Sequence, residues 1–103
     1  VNAERATTQQ ADTRRFWISG RVQSVGFRFF VERCATALGI RGWVRNLPDG
    51  RVEVLAFGAP DALIRLEASL HSGPRGASVE QVITETVPQG DEPGPDTFAI
   101  RRN

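Results

Sequence analysis

The stretch RFWISGRVQSVGFRFFVERCATALG, Arg15 to Gly39, changes its hydrophobic period part-way along, and that change decides the fold. Over Arg15 to Val22, the residues Phe16, Ile18 and Val22 alternate with Trp17, Ser19 and Arg21, the period of two of a β-strand. Gly20 and Gly26 then bracket a short loop. From Phe27 the spacing becomes helical: Phe27, Val31, Cys34 and Leu38 fall at i, i+4, i+7 and i+11, one apolar stripe. Gly39 closes this helix, where a left-handed residue is often required.

Outward from this strand-loop-helix unit, Gly42 to Leu47 reads as a second strand. Pro48-Asp49-Gly50 is a turn signal, since Pro fixes its own φ and Gly accepts a positive one. Arg51 to Phe57 returns as a third strand, completing a hairpin. Pro60 suits the first turn of a second helix, whose stripe is Leu63, Leu66 and Leu70. Gly73, Pro74 and Gly76 interrupt the chain. Ser78 to Val87 reads as a fourth strand, Pro88 to Pro95 as a loop, and Thr97 to Arg101 as a short last strand with Phe98 and Ile100 on one face. The order predicts an α+β, ferredoxin-like split β-α-β sandwich: an antiparallel sheet with both helices on one face, plus the short final strand. Val1 to Thr13 reads as a polar arm, expected to be mobile, and 14–103 as one domain.

At 103 residues the chain has material for one modest core. Its 13 basic and 12 acidic residues give a net charge of +1, which argues against a general nucleic-acid-binding surface. Every basic residue is Arg, the side chain best suited to forked contacts with phosphate, although a GC-rich genome gives the same bias. A lone cysteine, Cys34, excludes an intramolecular disulfide and a cysteine-rich metal site, and it fits a reducing cytoplasm. No apolar run approaches the roughly 18 residues of a membrane span, and Val1 to Arg15 holds no signal-peptide core. The expected protein is a cytoplasmic monomer that binds neither membrane nor nucleic acid.

In a split β-α-β unit the first and second strands run parallel with one strand between them. Their C-terminal ends then share one sheet edge, roughly 10 Å apart at about 4.8 Å per strand. The loop Arg21 to Phe27 leaves the first strand there, and Asn46 lies near the end of the second. Backbone N–H groups at a helix start favour an anion, and Arg28 in the first helical turn adds a charge-assisted fork. Read alone, the segment is also an ordinary connection with a solvated Arg, and Asn46 an ordinary turn residue.

Two segments together resemble the acylphosphatase family. Gly20-Arg21-Val22-Gln23-Ser24-Val25-Gly26-Phe27-Arg28 is similar to its Gly-x-Val-Gln-Gly-Val-x-Phe-Arg loop, and Gly42-Trp43-Val44-Arg45-Asn46 to its Gly-x-Val-x-Asn strand, followed here by the turn at Gly50. The likeness continues through Val52-Glu53-Val54, Gly73-Pro74 and Phe98 to Arg101. It implies a phosphate-binding arginine at Arg28, a water-orienting asparagine at Asn46, and a phosphate cradle formed by the backbone N–H groups of the loop Gln23, Ser24, Val25, Gly26 and Phe27. The implied reaction is hydrolysis of a small acyl phosphate to a carboxylate and inorganic phosphate, without metal or cofactor, with phosphate as product and inhibitor. The leaving carboxylate is stable as an anion near neutral pH, so the reaction needs no general acid. Positioning and charge stabilisation then suffice.

Ser24 stands where the family's usual motif has Gly. A negative φ is expected there, which makes Ser harmless. His71 reads as a cation near a helix C-terminus, Cys34 as packing, Trp17 and Trp43 as sheet aromatics packed on neighbours, and Asp49 as a turn residue. The competing reading is a non-catalytic ferredoxin-like module that binds a phosphate-bearing ligand. A further alternative is the acylphosphatase-like region of a larger carbamoyl-transfer maturation protein. The chain's end at Asn103, with no zinc-finger cysteines after it, favours the expectation of a free enzyme.

Overall fold

The periodicity breaks fall where elements meet. In a computed structural model describing residues 11–88 and 95–102, the elements are β1 (Asp12–Arg21), α1 (Phe27–Ala37), β2 (Arg41–Asn46), β3 (Val52–Gly58), α2 (Pro60–Ser72), β4 (Ser78–Thr86) and β5 (Phe98–Ile100). The strands form one sheet in the order β4-β1-β3-β2-β5. β3 is antiparallel to both β1 and β2, so β1 and β2 run parallel and end at the same edge.

The inward-facing residues of the sheet are the apolar half of each alternation. Phe16 and Ile18 of β1, Val44 of β2, and Val52, Val54 and Ala56 of β3 form one core with Phe27, Val31 and Ala35 of α1 and Leu63, Leu66 and Leu70 of α2. Both helices therefore cover one face, and the ferredoxin-like arrangement expected from the sequence holds. Cys34 and Leu38, read as members of the α1 stripe, are only partly buried at the margin of this core. Gly39 ends α1 with φ 72°, and Pro60 begins α2. Gly42 is required by space as well as by φ: a Cβ there would run into the Leu55 carbonyl of the neighbouring strand.

Three expectations need correction. The sheet is mixed, because β5 pairs with β2 in parallel, Gly42 opposite Phe98 and Val44 opposite Ile100. β1 begins at Asp12, so Asp12 and Thr13 belong to the strand and not to the arm. Thr13 is only 4% exposed; it lies opposite Phe57, and its carbonyl accepts the Val87 N–H at 2.9 Å. Backbone pairing on both sides, not side-chain alternation, holds this polar start. β4 closes at Thr86, with Val87 continuing by that same bond. Residues 1–10 of the expected arm, and most of the loop Pro88 to Pro95, lie outside the described residues.

The other face of the sheet is tied by one acid. Glu53, 5% exposed on the central strand β3, accepts a hydrogen bond from Arg15 on β1 (2.7 Å) and another from Arg45 on β2 (2.7 Å). Arg45 and Arg101 stack over Trp43 at 5.1 and 4.9 Å, and Arg15 over Trp17 at 5.9 Å. The tryptophans thus pack within the sheet surface, as expected. Burial alone would push the Glu53 carboxyl up; the hydrogen bonds and charges of Arg45 and Arg15 outweigh it and hold the group below its ordinary 4.5. Its contribution is therefore whole above the unfolded value and disappears as pH falls through the lower folded one. Glu53→Gln is expected to lose about 1–3 kcal/mol at neutral pH. Urea unfolding across acidic pH is expected to show the wild-type and variant stabilities converging.

Candidate active site

β1 ends at Arg21, and the chain reaches α1 through Val22 to Gly26. Two residues in this loop are left-handed: Ser24 with φ 64° and Gly26 with φ 76°. Together they turn the chain back on itself and aim the first turn of α1 at the sheet edge. Gly26 is the N-cap; no side chain caps the helix, and its first turn holds no acid. The first i→i−4 bond runs from Phe30 N to Gly26 O at 3.0 Å. The amides of Phe27, Arg28 and Phe29 precede it and have no carbonyl within the helix to bond.

The loop is fastened to the second strand by Gln23. Its Nε2 donates to the carbonyls of Leu47 (2.8 Å) and Arg51 (3.0 Å), which bracket the turn between β2 and β3. That turn is itself stiff. Leu47 N donates to Arg51 O at 2.8 Å, and Asp49 accepts from the Arg51 backbone N (3.0 Å) and Nε (2.8 Å), the turn role expected of it. Asn46, the last residue of β2, is thereby held against the start of α1.

The result is a pocket of about 150 Å³ lined by Val22, Ser24, Gly26, Phe27, Arg28, Phe29 and Asn46. A water takes about 30 Å³ of liquid, so there is room for a small tetrahedral anion with a water beside it. Val22 and Phe27 are buried and form the floor; Ser24, Gly26 and Phe29 are exposed at the rim. Arg28 Nη1 donates to the Arg101 carbonyl at 3.2 Å, which orients the guanidinium with one of its five donors.

Of the residues singled out from sequence, Arg28, Asn46, Ser24, Gly26 and Phe27 come together here. Gln23 and Val25 do not line the pocket: the first turns to the β2–β3 turn, and the second packs against the core. His71 is exposed on α2, 4.0 Å from Glu67, and takes no part. Phe29 and the Arg101 carbonyl were missed. Phe29 falls off the Phe27–Val31 stripe, and an apolar residue without a core position was the signal available.

The sequence and the overall fold both match a known family. The acylphosphatase family model matches residues 14–100. The chain belongs to the acylphosphatase family. It is 51% identical to an acylphosphatase of Koribacter versatilis over 80% of this chain and 74% of that one. It is 49% identical to an acylphosphatase of Halorhodospira halophila over 91% and 98%. Among solved structures, that of an acylphosphatase from Coxiella burnetii superposes with a TM-score of 0.82 at 35% identity, covering 89% of this chain and 94% of that one. These likenesses make the chain a hydrolase and favour the catalytic reading over a binding module.

The conformation of Ser24 overturns the negative φ expected from sequence. A non-Gly residue in the left-handed region costs roughly 1–2 kcal/mol, offset in part because Gly would lose more entropy on folding. Ser24→Gly is therefore expected to raise stability by about 0.5–1 kcal/mol, several degrees in a domain of this size. Calorimetry checks it; an unchanged or lower Tm would contradict the strain.

Proposed function

We propose that this acylphosphatase hydrolyses the carboxyl–phosphate bond of small acyl phosphates, with Arg28 gripping the phosphoryl group and Asn46 placing the water. The observation that carries the reading is one pocket lined by both side chains at an uncapped helix start. The phosphoryl group sits against the amides of Phe27 to Phe29, where the helix dipole and unpaired donors favour negative charge. Arg28 adds a forked contact with the donors that Arg101 leaves open. The Asn46 amide, which both donates and accepts, holds a water opposite the leaving group.

The water oxygen bonds to phosphorus as the bond from phosphorus to the acyl oxygen breaks, and the electron pair leaves with the carboxylate. Starting from the acyl phosphate dianion, the products are the carboxylate and dihydrogen phosphate, which carries both water protons. The leaving group needs no proton, so the reaction asks for no acid from the residues lining the pocket. A loose phosphoryl transition state asks mainly for alignment and for donors to three equatorial oxygens.

Hydrolysis of benzoyl phosphate in the presence of a chelator tests the reading. Activity is expected to survive the chelator and to be inhibited by inorganic phosphate. Arg28→Ala and Asn46→Ala should each lose at least about 10²–10³ in rate, the scale for removing one preorganised donor. A folded Arg28→Ala protein with full activity would contradict the assignment.

A further inference from the structure

Arg28 and its neighbours account for the phosphate end of the pocket and leave one lining residue unexplained. Phe29 is 65% exposed, yet it lines the same pocket as Arg28. Successive helix residues are rotated by about 100°. Phe27 and Val31 accordingly enter the core, Arg28 faces the pocket, and Phe29 stands at its edge. Phe27 and Phe30 contact each other with ring centroids 6.0 Å apart, so the aromatic packing at the start of α1 does not require a third ring. A ring left mostly in water buries apolar area only when something lies on it.

The burial gradient sets the direction of a bound substrate. Val22 and Phe27 close the floor, and the donors that suit a phosphoryl group lie at the start of α1. A substrate held there by its phosphoryl end must project its acyl group out through the mouth, past Phe29. We infer that Phe29 is the acyl-recognition residue of this enzyme, and that it selects acyl phosphates whose carboxyl carries an aromatic or other bulky apolar group. The inference rests on the acyl phosphate reading of the site. An aryl group meets the Phe29 ring in an offset or edge-to-face contact, whereas an acetyl group is too short to reach it.

Steady-state kinetics of the wild type, Phe29→Ala and Phe29→Trp with benzoyl phosphate and acetyl phosphate separate the possibilities. Phe29→Ala is expected to lower kcat/KM for benzoyl phosphate by about tenfold, the scale of one aromatic contact with its buried area. The loss should fall more heavily on benzoyl than on acetyl phosphate, lowering the benzoyl-to-acetyl ratio of kcat/KM about tenfold, and Phe29→Trp should restore that ratio. An equal loss on both substrates, or no loss on benzoyl phosphate, would overturn the inference. Inactivity of the folded wild type on both substrates would instead overturn the proposed reaction, and the acyl assignment with it.

Discussion

One side chain joins the two halves of the site. Gln23 Nε2 bonds to Leu47 O and Arg51 O, and by doing so it locks the loop after β1 to the turn after β2. The split β-α-β topology brings these two segments to one sheet edge with β3 between them. Topology alone leaves a gap of about two strand spacings and a loop free to choose its course. The Gln23 amide closes that gap, and Arg51 O accepts from Leu47 N as well, using both lone pairs of one carbonyl. Arg28 and Asn46 are therefore held relative to each other by backbone groups, before any substrate arrives.

The loop carries a conformational penalty for this arrangement. Ser24 and Gly26 both lie at positive φ, which ordinary residues avoid. Without that path the first turn of α1 would not point its unpaired amides at the end of β2. Strain at a site of this kind persists only where the surroundings over-determine it. Here they do so through the buried Val22 and Phe27 on either side and the Gln23 anchor between. Further out, Glu53 bridges β1, β3 and β2, the strands from which the loop and turn emerge.

The elements were legible in the sequence because their burial is periodic. Phe16 and Ile18 marked β1, Leu63, Leu66 and Leu70 marked α2, and Gly39 and Pro60 marked a helix end and a helix start. What escaped was held by backbone or by single polar contacts, which leave no period. Asp12 and Thr13 joined β1 through main-chain pairing with β3, and Thr13 also through its bond from Val87 just past β4. Three-residue β5 showed its facing but not its direction. Arg28 and Asn46 were legible as a pair through topology and family resemblance. The anchoring bonds of the Gln23 side chain were not legible, since spacing does not say which way a long amide turns. Ser24 was read at negative φ, because nothing local betrays a left-handed serine when the constraint comes from a distant turn.

In the proposed mechanism the pocket directs water to phosphorus and not to the carbonyl carbon. Hydrolysis of benzoyl phosphate in water enriched in oxygen-18, followed by mass spectrometry of both products, tests that claim directly. The label is expected in inorganic phosphate, with benzoate keeping both of its original oxygens. Label appearing in benzoate would show attack at the carbonyl and contradict the roles given to Arg28 and Asn46.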